Sequence, residues 1–146
     1  QFVTDSNNAY INLQNGTYKF YKGKGKLNPH NKKDNLHYVL PFDYLPEATC
    51  PIFIDYLNYC LPDEDKRKVI QEFLGYVFTP NEVCNLEKCL LLYGEGSNGK
   101  SVLYRVINEL LGKENISSLS IPQLTDKQKG EYYTVNLQNK LLFVLL

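Results

Sequence analysis

Apolar and polar residues change their spacing twice along this chain. From Tyr10 to Tyr21 they alternate on either side of Asn15-Gly16. A period of two around the residue pair favoured in type I′ turns predicts a β-hairpin. Gly23 to Asn35 is rich in Lys, Asn and Gly and reads as a loop, and His37 to Phe42 reads as a further short strand. The period then lengthens. Pro51 suits a first helical position, and Phe53, Tyr56, Leu57 and Cys60 give that helix one apolar face before Leu61-Pro62 ends it. Asp63-Glu64-Asp65 sets negative charge on the positive end of a second helix. Its stripe is Val69, Ile70, Phe73, Leu74, Val77 and Phe78, and it stops before Pro80. Both helices read first as core elements, and second as a contact between copies.

From about Asn81 the pattern becomes that of an α/β protein. Cys89–Tyr93 is apolar on both faces, as a central parallel strand requires. A helix from Ser101 carries Val102, Leu103, Val106, Ile107, Leu110 and Leu111 on one side, with Gly112 as its C-terminal cap. Ile116–Ser120 reads as a short strand, residues 122–139 as one or two short helices, and Leu141–Leu146 as a second fully buried strand. Strand, helix and strand in that order imply a right-handed parallel crossover. The fold class expected is α/β in two parts. Residues 1–80 form a mixed α+β accessory domain, hairpin plus helices; residues 81–146 form the first half of a parallel P-loop sheet. The chain opens on Gln1, contains no Met and stops within an apolar run, so both ends read as cuts in a longer protein.

Composition adds a charge asymmetry. The formal net charge is zero, but residues 1–40 hold six Lys and two Asp (+4), whereas residues 41–146 hold ten Lys/Arg and fourteen Asp/Glu (−4). Lys19, Lys22, Lys24, Lys26, Lys32 and Lys33 cluster with Tyr18, Phe20 and Tyr21 between them. A nucleic-acid patch has this make-up, and so does a solvated hairpin tip. Four cysteines at 50, 60, 84 and 89 include no C-x-x-C pair. Cys60 and Cys89 lie in apolar patterns and read as buried reduced thiols, and a metal site is disfavoured because only His30 and His37 could assist. No signal peptide pattern and no 18-residue apolar stretch is found, so a membrane role has no support.

The chemistry is concentrated in Gly94-Glu95-Gly96-Ser97-Asn98-Gly99-Lys100-Ser101, a complete G-x-x-x-x-G-K-S phosphate loop between an apolar run and a helix. Gly94 and Gly99 allow backbone approach that a side chain would block. Backbone N–H groups from Gly96 to Ser101 then converge on phosphate oxygens at a helix N-terminus. Lys100 is the candidate catalytic cation for the β- and γ-phosphates, and the Ser101 hydroxyl the candidate Mg²⁺ ligand. Candidate nucleotide contacts run from Gly94, Glu95, Gly96, Ser97 and Asn98 through Gly99, Lys100 and Ser101 to Val102. Asn98 either orients water or phosphate, or tolerates a left-handed turn. Hydrolysis also needs a second acidic group and an arginine. The acid is expected at the end of the strand beside the loop strand, taken as Leu141–Leu146, and no nearby carboxylate is an obvious substitute for it. On that reading the chain binds ATP with negligible turnover by itself.

Four segments together resemble the phage and plasmid primase–helicase family, relatives of the poxvirus primase–helicase and superfamily 3 helicases of the AAA+ type. They are Asn12-Leu13-Gln14-Asn15-Gly16, Tyr44-Leu45-Pro46-Glu47-Ala48-Thr49-Cys50-Pro51, Gln71-Glu72-Phe73-Leu74-Gly75-Tyr76 and the loop with Leu91-Leu92-Tyr93 before it. The resemblance implies an ATP- and Mg²⁺-dependent DNA helicase in replication of a phage, plasmid or other mobile element, in the cytoplasm of a bacterial host. Its implied partners are single-stranded or forked DNA and further copies in a ring, a hexamer, with no membrane. Two other readings stand beside it: another P-loop protein, such as a kinase or GTPase-like switch, and a non-enzymatic DNA-binding or oligomerisation module next to an ATPase.

Overall fold

In the computed structural model, residues 9–21, 23–79, 88–126, 133 and 135–145 are described. Lys22, Pro80, Cys84, Leu146 and most of the 127–134 stretch, on which some expectations fall, lie outside them. Strands β1 (Ala9–Leu13), β2 (Gly16–Tyr21) and β3 (Lys24–Asn28) form one antiparallel meander.

The hairpin is present, with its turn one residue earlier than expected. Leu13 pairs with Gly16, so Gln14 and Asn15 make the turn. Asn15 is drawn off by a tertiary contact: its side chain donates to the Tyr44 carbonyl (3.1 Å) and accepts from the Tyr44 N–H (2.9 Å). Gly16 instead starts β2 beneath β3, where a Cβ would stand 2.5 Å from the Asn28 carbonyl oxygen.

β3 corrects the reading of Gly23–Asn35 as a loop. Lys24 and Lys26 are exposed, and the Tyr18 ring covers Gly25, where any Cβ would collide with it. The strand is held by that ring and by Leu27 rather than by an apolar row of its own. His37–Phe42 forms no ladder. Two backbone bonds, Leu40 N to Asn12 O (2.8 Å) and Gln14 N to Phe42 O (3.1 Å), tie it to the meander. Pro41 between them has no N–H to continue the pairing.

Helix α1 spans Pro51–Cys60 with the proline in its first turn, and α2 spans Glu64–Tyr76. The Asp63 carboxylate caps α2 by accepting from the N–H groups of Asp65 and Lys66, as the charge pattern implied. Helix α3 (Lys100–Leu111) ends at Gly112, whose φ of +84° favours glycine. Beyond it come β4 (Ile116–Leu119), the single turn α4 (Ile121–Leu124) and β5 (Leu142–Leu145).

β4 and β5 pair in parallel, Ile116 with Leu142 through Leu119 with Leu145. Two strand expectations are therefore corrected. Residues 89–93 form no strand: Leu91 is 83% and Tyr93 91% exposed. An apolar run becomes a strand only beside a ladder partner, and β5, the neighbour assigned to it, is bonded to β4 instead. Nor is β5 fully buried, since Leu142, Phe143 and Val144 are half-buried and Leu145 is exposed. The result is mixed α/β: a small antiparallel sheet, helices and one parallel pair.

One buried cluster joins these elements. Leu13, Leu40 and Ile70 meet Leu103, Ile107, Leu111 and Ile116, with Tyr18, Leu27, Phe53, Leu57 and Leu74 packed around them. Only the Ile70 side of α2 is buried; Val69 is exposed, as are Ile52 and Tyr59 of α1.

Candidate nucleotide site at the start of α3

Residues 94–99 lead directly into α3. Gly96 (φ +106°), Ser97 (φ +49°) and Gly99 (φ +90°) all occupy the left-handed half of backbone space. A run of such angles turns successive N–H groups to one side, a concavity suited to anions. Ser97, rather than Asn98, is the non-glycine residue that carries a left-handed angle, so turn tolerance does not account for Asn98. Its side chain lies over Gly94, where a Cβ would collide with the Asn98 amide nitrogen. Gly94 is thus explained by close approach within the loop.

Lys100 folds back across this concavity. Its ammonium donates to the Gly94 carbonyl at 2.9 Å and to Asn98 Oδ1 at 2.7 Å. Both acceptors are neutral, so the cation has hydrogen bonds but no counter-charge in these two contacts. Ser101 and Val102 are exposed on the first turn of α3, and Glu95 is exposed on the loop. The structure therefore brings the candidate residues 94–102 together on one loop and one helix end.

Sequence reasoning missed a residue that touches this loop. Tyr56 of α1 donates its hydroxyl to the Gly99 carbonyl at 2.6 Å. Burial, with the neighbouring Cys60 thiol, pushes the Tyr56 hydroxyl up from its ordinary value, while backbone hydrogen bonding at Leu103 opposes the shift. A Cβ on Gly99 would lie 2.5 Å from Cys60 Sγ and 2.9 Å from the Tyr56 hydroxyl oxygen. Nothing in the helical period marks Tyr56 apart from Phe53 and Leu57. Beside this contact, Leu57, Leu61, Val69, Leu92 and Lys100 line a cavity of about 410 Å³.

The basic cluster is only partly free. Lys19 pairs with Asp34 at 2.5 Å and sits 4.9 Å above the Tyr10 ring centroid. Lys24 and Lys26 project from β3, and Lys32 and Lys33 from a single 3₁₀ turn; all four are exposed. Cys50, Cys60 and Cys89 are free thiols; Cys89 is exposed and Cys60 half-buried, which corrects the expectation of burial. No helix among the described residues is long and apolar enough to cross a membrane.

A family model described as "D5 N terminal like" matches residues 3–79, from before β1 through the end of α2. The chain belongs to this family, which is the N-terminal domain of D5-type primase–helicases. The matched portion includes Tyr56 and ends ahead of the phosphate loop. Among curated proteins no significant match was found.

Proposed function

We propose that this chain is part of an ATP-dependent DNA helicase or primase–helicase, in which residues 94–102 hold the nucleotide. One observation carries the reading. The Lys100 ammonium is held across a left-handed loop at the N-terminus of a 12-residue helix, where among the described residues it donates to the Gly94 and Asn98 oxygens. These residues fit a polyphosphate, because a loop of inward N–H groups with a lysine and a helix dipole favours concentrated negative charge.

Lys100 would exchange its neutral acceptors for phosphate oxygens, and the Ser101 hydroxyl would ligate a Mg²⁺ ion bound with them. When bound, Mg-ATP supplies the phosphoryl group whose transfer to water drives helicase work. The family assignment supports replication as the setting and DNA and further copies of the chain as partners; a hexameric ring and a bacterial cytoplasm belong to the same proposal. In it, residues 1–80 act as the accessory domain and 81–146 as the ATPase portion.

The test is binding of a fluorescent ATP analogue with Mg²⁺. Lys100→Ala is expected to weaken binding at least tenfold while the unfolding midpoint is retained, because the half-buried ammonium bonds to loop oxygens and lies outside the buried cluster. Equal affinity in parent and variant would overturn the nucleotide reading. For the DNA partner, changing Lys22, Lys24 and Lys26 to Gln is expected to lower both affinity and its salt dependence in filter binding, since each phosphate contact releases counterions. An unchanged salt slope would remove this segment from the DNA interface.

A further inference from the structure

We propose that Tyr56 is a positioning residue of the phosphate loop, through which the D5 N-terminal-like part of the chain sets nucleotide affinity. The inference rests on the nucleotide reading above and adds a residue outside the loop motif.

The argument begins with the peptide unit between Gly99 and Lys100. A trans peptide is planar, so its C=O and N–H point in opposite directions. The Gly99 carbonyl accepts from Val102 N (2.9 Å) and Leu103 N (3.0 Å), which start α3, and also from the Tyr56 hydroxyl at 2.6 Å. These donors hold the carbonyl toward the helix and α1. The Lys100 N–H is thereby held pointing away from them, at the open end of α3, where an anion is received. The left-handed φ of Gly99, +90°, is the local twist that makes this orientation possible.

The helical donors act within α3 and would persist if the helix shifted as a body. Tyr56 lies 43 residues earlier and on a different element. It alone of the three refers the peptide plane to the rest of the molecule. Its ring is stacked with Phe53 at 6.1 Å between centroids on the same helix, and Leu57 and Phe53 pack against the buried cluster. The hydroxyl is therefore presented by a fixed scaffold. Cys60, one turn later, presses on the same glycine, leaving no room for a side chain there. Gly99 has two reasons to be glycine: its backbone angle, and the close approach of α1.

The experiment compares three variants with the parent for binding of the fluorescent ATP analogue with Mg²⁺ and for urea unfolding. Tyr56→Phe keeps the ring and removes the donor. Tyr38→Phe removes a comparable half-buried hydroxyl, which donates to the Tyr10 carbonyl at 2.8 Å well away from the loop. Lys100→Ala reports on the nucleotide reading itself.

The expected result is an affinity about five- to tenfold weaker in Tyr56→Phe, the fold-change of roughly one hydrogen bond. Tyr38→Phe is expected to lower the unfolding midpoint similarly yet bind as the parent does. With 3-fluorotyrosine incorporated, the resonance missing from Tyr56→Phe is expected to move when nucleotide is added to the parent. A purely structural hydroxyl would lower stability and leave both binding and that resonance unchanged. If Lys100→Ala abolishes binding and Tyr56→Phe binds within twofold of the parent, the positioning role is overturned and the nucleotide site stands. If the parent does not bind, or Lys100→Ala binds equally well, both readings are overturned.

Discussion

Replacing Asn115 tests how the C-terminal end of α3 is joined to the segment around Val39. Its buried side-chain amide donates to the Leu111 carbonyl at 2.7 Å and to the Val39 carbonyl at 3.1 Å. Leu111 O belongs to the last turn of α3, whose carbonyls have no partner within the helix. Val39 O belongs to the segment beside the meander. Asn115→Ala leaves both acceptors without this donor. At about 1 kcal/mol for each neutral bond, rising to about 1–3 where a buried group stays unpaired, the loss is about 2–4 kcal/mol. Urea unfolding followed by circular dichroism would read this as a midpoint lower by about 1–2 M at a slope of about 2 kcal/mol/M, the middle of the range for small proteins. Asn115→Asp is expected to be worse than Ala at neutral pH, because an ionised carboxylate offers only acceptors to two carbonyls. Facing those oxygens, the Asp variant favours its protonated form when folded. Its deficit against Ala should therefore shrink as pH falls from that raised folded value to the ordinary carboxylate value near about 4. A loss below about 0.5 kcal/mol for Ala, within the range of ordinary surface changes, would refute the reasoning. So would equal stability of Asp and Ala variants at pH 7.

Two further outcomes are expected. Gly25→Val should destabilise by about 1–3 kcal/mol, because the added carbons displace the Tyr18 ring that packs 4.5 Å from the Tyr44 ring; an unchanged near-ultraviolet circular dichroism signal and midpoint would count against that packing. Burial pushes the Tyr38 hydroxyl up from 10.0 to about 12, with a backbone contact at Asn12 opposing. A raised folded-state value means that the protonated form stabilises the fold, fully so below pH 10. That contribution, at most about 3 kcal/mol and less for the exposed part of the ring, is lost as pH rises from about 10 to 12. Tyr38→Phe should flatten the alkaline limb of stability; an identical limb in parent and variant would exclude Tyr38 as its source.

Local pattern carried the helices, whose stripes and caps are written within a few residues of one another. Thus Asp63 and Pro51 mark the starts of α2 and α1, and α3 begins at Lys100, one residue before the expected start. The strands were less legible because their stability lies between segments. β3 carries two exposed lysines with a glycine between them under the Tyr18 ring, and that packing partner is on another strand. Residues 89–93 have a strand's composition without a strand's partner among the described residues. Asn15 would suit the first hairpin's expected turn, but its side chain is committed to Tyr44, 29 residues away. The candidate site divides in the same way. Its eight-residue motif is contiguous and readable, whereas the Tyr56 contact arises only when α1 is laid against Gly99.

The attachments of α3 bear on function together. At its N-terminal end, the Tyr56 hydroxyl holds Gly99. Along its length, Leu103, Ile107 and Leu111 are buried in one cluster with Leu13, Leu40 and Ile70. At its C-terminal end, Asn115 bridges Leu111 to Val39, and Gly112 leaves clearance for Pro41. Every one of these contacts involves a residue between 13 and 70, inside the family-matched segment. A close-packed interior transmits displacement instead of absorbing it. A shift of the α3 N-terminus on nucleotide binding would therefore have to strain the Tyr56 bond or carry α1 with it. The exposed lysines on β3 belong to the same packed unit through Tyr18 and Leu27. If they contact DNA, the physical route between the two ligands is short: α3, the Leu13–Leu40–Ile70 cluster, and the meander. This route makes a reciprocal test possible, because coupling free energy is the same in both directions. DNA should change nucleotide affinity by the same factor as nucleotide changes DNA affinity. Tyr56→Phe should bring this common factor closer to one; a factor unchanged from the parent would place the coupling elsewhere.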